Sequence, residues 1–383
     1  AFLEQSVSSI EVGCSLGYSR WQALWKLALP MARPAIIAGL SLALMETLAD
    51  YGTVQYYGVS TFTTGIFRTF YGYGDTAAAA QLAASLLAFV ILLVLLERYS
   101  RRRARYHSAA ESRARADLIP LSGSKAIMAC VICLSPLMFG FIIPATQLLF
   151  WAVFEAEPLG WDFVGLAWNS FSLAFLAAII AVILAIILSY AKRTKPIKPV
   201  RTVLAMAGFG YALPGTIIAI GVLIPLAWLD HRLIDIFGSL GWDSPGLLLS
   251  GSLVALLFAY TVRFLAVALG SVQSGLEKIK PSLDQAGRSM GHSPLDILRK
   301  IHVPLMRSSI LTAVLIVFVD VLKELPATLI LRPFNFNTMA VRAYELASDE
   351  RLVDAAPASI MIVLVGLIPV LMLHASIARR RPH

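Results

Sequence analysis

Six ionisable side chains stand inside stretches that are otherwise apolar: Glu46, Asp50, Arg263, Asp320, Lys323 and Glu324. A charge at membrane depth costs several kcal/mol unless it is paired or reached by water. Two arrangements meet that condition, an ion-pair network between helices and the lining of a translocation path, and the residue types leave both open. Glu46 and Asp50 are four apart, which puts them on one helix face; Asp320 and Glu324 repeat the spacing, with Lys323 beside them. Catalytic chemistry is a poorer fit. His107, His231, His292, His302, His374 and His383 show no metal-ligand spacing such as HExxH. Cys130 and Cys133 form a CxxC in an apolar stretch with no second ligand pair, whereas a structural zinc takes four ligands. They read as small residues of a membrane helix, and the three cysteines imply no disulfide framework. The sequence has no Gly-Lys-Ser/Thr phosphate loop, so an ATP-driven process would need a separate ATPase. Neither a metal nor a cofactor held by this chain is expected.

These side chains need spans to position them. Of the 383 residues, 58% are hydrophobic and 14% charged, against roughly 25% charged in soluble proteins, and mean hydropathy is +0.75. An all-α, polytopic membrane protein follows. Eight apolar runs approach the roughly 20 residues that cross a bilayer, at about 33–54, 77–96, 126–151, 167–190, 203–229, 245–269, 310–331 and 354–375. Basic residues set the orientation. With the chain start inside, the inner segments hold 25 of the 32 Lys and Arg and the outer loops 5, while Arg263 and Lys323 lie within spans. The net charge of +9 is therefore a topology signal and not a nucleic-acid footprint. Basic runs at 101–105 and 379–381 read as cytoplasmic anchors.

The run 203–229 contains Pro214, Gly215 and Pro225. Proline removes a helix hydrogen bond and kinks the span, and broken helices are tolerated where they line a cavity. Pro214 and Gly215 thus join the six ionisable residues as path or gate candidates, with a plain packing kink as the alternative.

A polar segment is duplicated. Residues 12–75 recur without a gap 274 positions later: Gly17 matches Gly291, Ser19 matches Ser293, Lys26 matches Lys300, Pro30 matches Pro304 and Arg33 matches Arg307. Phe62, Thr64 and Arg68 match Phe336, Thr338 and Arg342, and Glu46 and Asp50 match Asp320 and Glu324. Such duplication marks a transporter whose two pseudo-equivalent halves present one surface to similar partners. Each copy reads as short helix, glycine turn, second helix, proline, span. Gly17 and Gly291 suit the C-terminal turn of the short helix. Ser19 with Gln22, and Ser293 with Asp296, look like capping boxes opening the second, and Pro294 suits its first position. Trp21, Leu24, Trp25 and Ala28, like Leu295, Leu298 and Ile301, have the spacing of an amphipathic helix at the membrane surface. Four spans separate the linker 97–125 from the second copy and none precede the first. The chain also begins without Met, so about four further spans are expected upstream.

The two copies resemble the EAA loop of binding-protein-dependent ABC importer permeases: Glu-Ala-Ala, three residues, Gly, nine residues, Ile-x-Leu-Pro. The first gives Glu11, Val12, Gly13, then Gly17, Leu27, Leu29 and Pro30; the second gives Gln285, Ala286, Gly287, then Gly291, Ile301, Val303 and Pro304. Both depart from strict Glu-Ala-Ala, while the Gly and Pro frame is intact. Segments 44–72, 211–223 and 260–279 are similar to the ferric-iron permeases of this superfamily, which fuse two permease halves in one chain. The resemblance implies a type I ABC importer permease fold in a bacterial inner membrane. Residues 1–96 would close the first half, 97–125 form a cytoplasmic linker, and 126–383 form the second half with its coupling loop at about 277–304. It also implies that the short helices are coupling helices, carried by Glu11, Gly13, Gly17, Pro30, Gln285, Ala286, Gly287, Gly291 and Pro304. These would dock on two copies of an ATPase subunit that uses the ATP, while a periplasmic binding protein delivers substrate. Thiamine or a phosphonate remain alternative cargoes. An ion-driven secondary carrier would share the repeats and buried charges but not the paired coupling loops.

Overall fold

A backbone in hydrocarbon must satisfy its own hydrogen bonds, so apolar runs of this length become helices. The computed structural model describes residues 13–103, 122–158, 160–244 and 246–378, and no strand occurs among them. Glu11, Arg105 and the run 379–381 lie outside the described residues. In chain order the helices are α1 (Arg20–Ala23), α2 (Leu29–Ala49), α3 (Gly52–Tyr56), α4 (Phe62–Phe67), α5 (Thr76–Arg103), α6 (Ser124–Leu137), α7 (Ile143–Phe150), α8 (Trp161–Thr194) and α9 (Lys198–Ala207). They continue with α10 (Gly215–Ser239), α11 (Leu253–Glu277), α12 (Pro281–Ser289), α13 (Pro294–Ile297), α14 (Val303–Leu305), α15 (Arg307–Leu322), α16 (Pro326–Leu331), α17 (Met339–Ser348) and α18 (Leu352–Ala378).

Among the described residues, five stretches are long and apolar enough to cross a bilayer: Thr76–Leu96, Ser124–Glu155, Trp161–Thr194, Gly215–Ser239 and Leu253–Glu277. The pair Pro294–Leu305 and Arg307–Leu322, bent by 77°, makes a sixth if it crosses as one broken span. Helices α2 and α18 cover the two remaining apolar runs.

Three expectations are corrected. Pro214 and Gly215 do not kink a span but start one. The run 203–229 divides into α9, a 3-10 turn (Gly210–Ala212) and α10, with Pro214 at the residue position just before α10. Proline's fixed φ and missing N–H suit a helix entry. The run 310–331 is likewise two helices, broken between Leu322 and Pro326. Finally, Glu46 and Asp50 do not share a helix face, because α2 ends at Ala49. Asp50 Oδ1 instead accepts the N–H of Thr53 at 3.2 Å, capping α3. Glu324 in the second copy does the same for α16, accepting the N–H of Ala327 at 3.1 Å. In each copy an acidic residue stops one helix by capping the next.

By contacts the chain falls into two compact units, residues 1–48 with 87–144, and residues 49–86 with 145–383. In the first unit Ala23, Ala28, Ala32, Val90 and Val94 are buried. In the second, α8, α11 and α15 pack on one another. Their shared surface is built from small residues, among them Ala174, Ala178 and Ala181 on α8, Ala255 and Ala259 on α11, and Ala313 on α15. In lipid, close backbone approach and van der Waals contact drive helices together, which favours such residues.

Candidate coupling loops and an ionic cluster at a helix start

Both motif copies have the same local build. In the first, a helical turn at 13–15 closes with Gly17 at φ +88°. The Gly17 N–H donates to the Cys14 carbonyl and the Tyr18 N–H to the Gly13 carbonyl, both at 3.1 Å. In the second, Gly291 has φ +79°. Its N–H donates to the Arg288 carbonyl at 3.0 Å, and the His292 N–H donates to the Gly287 carbonyl at 3.1 Å. This two-bond closure is the Schellman motif, which needs a left-handed residue.

The second helices are capped as their sequences suggest. Ser19 N–H donates to Gln22 Oε1 at 3.0 Å, and Gln22 N–H returns a bond to Ser19 Oγ at 3.3 Å. Asp296 N–H donates to Ser293 Oγ at 3.2 Å, and the Ser293 hydroxyl donates to the Asp296 carboxylate. That hydroxyl, with Lys300 nearby, holds the Asp296 carboxyl below the usual carboxylate range. Each helix then widens into a π turn, Leu24–Ala28 and Leu298–His302, just ahead of Pro30 and Pro304. Proline offers no N–H to the carbonyl four residues back. A π turn at that point changes the bonding register, Leu29 N–H reaching the Leu24 carbonyl and Val303 N–H the Leu298 carbonyl.

Gly13 and Gly287 serve a different need. A Cβ on Gly13 would stand 2.5 Å from Leu27 Cδ1 and 3.3 Å from Ala23 Cβ; on Gly287 it would stand 3.0 and 3.1 Å from Ile297. Ala23 and Ile297 are equivalent in the repeat, so in both copies glycine lets the short helix lie against the same site on the second. Ala23 and Ile297 are buried because the short helix folds onto them, while Trp21, Trp25 and Leu295 stay exposed. An exposed tryptophan pair suits the membrane–water interface. Gln285, Ala286, Pro30 and Pro304 are exposed, and Glu11 lies outside the described residues.

Of the path candidates, the structure brings together Gly215, Arg263 and Glu324. Arg263 donates to Glu324 Oε1 at 3.0 Å, with both side chains buried. Gly215 faces this pair so closely that a Cβ would overlap the guanidinium and the carboxylate. The Thr328 hydroxyl donates to the Glu324 carbonyl at 2.7 Å, and the buried Tyr260 hydroxyl bonds that of Thr328. Thr216 Oγ1 and Arg263 Nε are buried here without a hydrogen-bond partner. Asp320 pairs with Lys323 at 3.2 Å, and Glu46 is exposed on α2. Sequence reasoning passed over Tyr260 and Thr328, and, near the second motif, Arg193 and Asp284. Asp284 follows Pro281 in a first helical turn and Arg193 stands among basic residues at a helix end, but no local pattern links residues so far apart.

The profile of the family described as "Binding-protein-dependent transport system inner membrane component" matches residues 5–106 and 197–381. The chain belongs to this family. It is thus a multi-pass inner-membrane permease subunit, a transport component and not an enzyme. This permease is 26% identical over 368 residues to the Fe(3+)-transport system permease protein FbpB 2 of Haemophilus influenzae, covering 95% of this chain and 70% of that one. It is 22% identical to the ferric transport system permease protein FbpB of Actinobacillus pleuropneumoniae, over 93% of this chain and 52% of that one. A Salmonella typhimurium permease protein named for 2-aminoethylphosphonate transport matches 53% of this chain and 72% of its own length at 23% identity. Among solved structures, a bacterial alginate ABC transporter is similar over 64% of this chain and 90% of that one, at 14% identity and a TM-score of 0.47.

Proposed function

We propose that this permease belongs to an ATP-driven importer that carries ferric iron from a periplasmic binding protein to the cytoplasm. The observation that carries the importer mechanism is the twofold occurrence of one device: short helix, Schellman glycine, capped second helix, π turn and proline. Residues 1–96 close a first permease half, 97–125 link it on the cytoplasmic side, and 126–383 form the second half. The loops around 11–17 and 285–291 each meet one of two ATPase subunits. ATP binding draws those subunits together, and the spans that follow Pro30 and Pro304 rock a central path from inward- to outward-facing.

The pair of Arg263 and Glu324 with Gly215 is the gate in this reading, and Glu46, Asp50, Asp320 and Lys323 are further path candidates. Each unsatisfied buried polar atom costs about 1–3 kcal/mol. A state that admits water to Thr216 Oγ1 and Arg263 Nε relieves that cost, which supports a cluster that opens.

Ferric iron is supported by the two relatives named for it, which match nearly the whole chain. A phosphonate cargo is the second reading, favoured by the Salmonella relative. The permease expressed with its ATPase and binding protein in vesicles should take up radiolabelled ferric iron, and neither a phosphonate nor thiamine, only when ATP is supplied. Uptake of another solute discards iron; uptake independent of ATP discards the importer.

A further inference from the structure

The second coupling loop contains a partly buried network that its first-copy counterpart does not repeat. Asp284 stands in the first turn of α12, where the helix dipole favours a carboxylate. Arg193, in the last turn of α8, donates from Nε to Asp284 Oδ2 at 2.7 Å. Its other nitrogens donate to the carbonyls of Leu276, at 2.7 Å, and Ile279, at 2.9 Å, so it also grips the end of α11. His302, the last residue of the π turn, has no exposed surface and lies 2.6 Å from Asp284 Oδ1 through Nε2. An ionised carboxylate only accepts, so the shared hydrogen sits on Nε2; Nδ1 is buried without a partner. One turn before Arg193, the Tyr190 hydroxyl donates to the Pro294 carbonyl at 2.6 Å, and its ring packs edge-on against His302. In the first copy, Ala28 takes the place of His302, and Ile10 that of Asp284. Alanine and isoleucine side chains can form no such bonds.

We propose that Arg193, Asp284 and His302 form a strut that makes the second coupling helix and the inner end of the Trp161–Thr194 span one moving body. The inference rests on the coupling reading given under Proposed function. A coupling helix held only by apolar contact can tilt as the ATPase moves without carrying a span along. Three side chains locked by charged hydrogen bonds at 2.6–2.9 Å leave no such slack. The second half therefore transmits motion directly into α8, which packs on α11 and α15. Arg193, Asp284 and His302 are positioning residues here and touch no substrate.

The test uses the full-length permease assembled with its ATPase and binding protein in proteoliposomes. It reads solute taken up per ATP hydrolysed, with radiolabelled ferric iron or the phosphonate as the uptake assay selects. Asp284→Asn is expected to keep ATPase copurification and hydrolysis but lower uptake per ATP about fivefold. His302→Gln retains an N–H toward Asp284 and should hold the native ratio, whereas His302→Leu should lower it. Lys192→Gln removes a charge from the same helix end outside the strut and should change nothing. A second measurement does not depend on Asp284→Asn assembling. Spin labels at the exposed positions Ser282 and Lys192, with the strut intact, should keep their separation between nucleotide-free and ATP-trapped states. Native uptake per ATP in Asp284→Asn, or a label shift of about 5 Å, one helical turn, overturns the strut. Wild-type permease that recruits no ATPase overturns the coupling reading, and the proposal with it.

Discussion

Asp50 and Glu324 cap in the same way: each accepts the N–H of the residue three positions on, Thr53 at 3.2 Å and Ala327 at 3.1 Å. The repeat that matches these acids in sequence thus matches them in geometry. At Glu324 the network continues, through the same oxygen, to Arg263 at 3.0 Å.

The two acids should therefore differ in how they tolerate change. Asp50→Asn keeps a good capping side chain and is expected to be nearly neutral, while Asp50→Ala should cost about 1 kcal/mol. Glu324→Leu strands the buried Arg263 and should cost about 3–5 kcal/mol. Thermal unfolding in detergent, compared across the three variants, checks this order.

Replacing both members of the buried pair separates a structural role from a gating one. Arg263→Met with Glu324→Leu is expected to recover most of the stability lost by Glu324→Leu alone, because well-packed apolar side chains often match a buried ion pair. Transport should stay impaired if the pair is a gate. Restored stability together with native uptake would make the pair purely structural.

Gly215→Ala attacks the same cluster without touching a charge. Its methyl has no room beside the guanidinium and carboxylate, so the pair must separate or α10 must shift. A loss of about 1–3 kcal/mol is expected, as for overpacked cores. Gly221→Ala, on the same helix with open space around the added Cβ, is the matched comparison.

Gly17 and Gly291 should respond to backbone preference and not to size, since a Cβ on either meets nothing within 4 Å. Asparagine tolerates the left-handed region and should be mild; valine should cost about 1–2 kcal/mol and loosen the glycine turn. Hydrogen exchange of residues 285–298 in Gly291→Asn and Gly291→Val distinguishes these outcomes.

Acidification should loosen the second capping box. Its carboxyl, Asp296, titrates below the usual range because the Ser293 hydroxyl and Lys300 favour the ionised form. A depressed folded value means that its contribution is present above the unfolded value and is lost as pH falls through the folded one. Exchange at residues 294–298 should thus rise only below the ordinary carboxylate range, and Asp296→Asn should remove that rise.

Much of this was legible because it is local. The glycine turns, the Ser19 and Ser293 boxes and the prolines each act within a few residues, so sequence spacing carries them. Helix ends at Asp50 and Glu324 were harder, since apolar composition runs past them and the capping bond lies inside an apolar context. The burial of Ala23 and Ile297 was not legible, because it depends on the glycine turn folding the short helix onto them. The pairs of Arg263 with Glu324 and Arg193 with Asp284 join residues far apart in the chain, and no local pattern announces such pairs.

The π turns at Leu24–Ala28 and Leu298–His302 carry one more consequence. Each holds one residue more than the α-helical register would, at the same point of both copies. The effect of that extra residue is rotational. Each residue in an α-helix turns the chain by about 100°, so deleting one from either π turn would swing the short helix by that angle around the span it feeds. In the coupling reading, it would then present the wrong side to the ATPase.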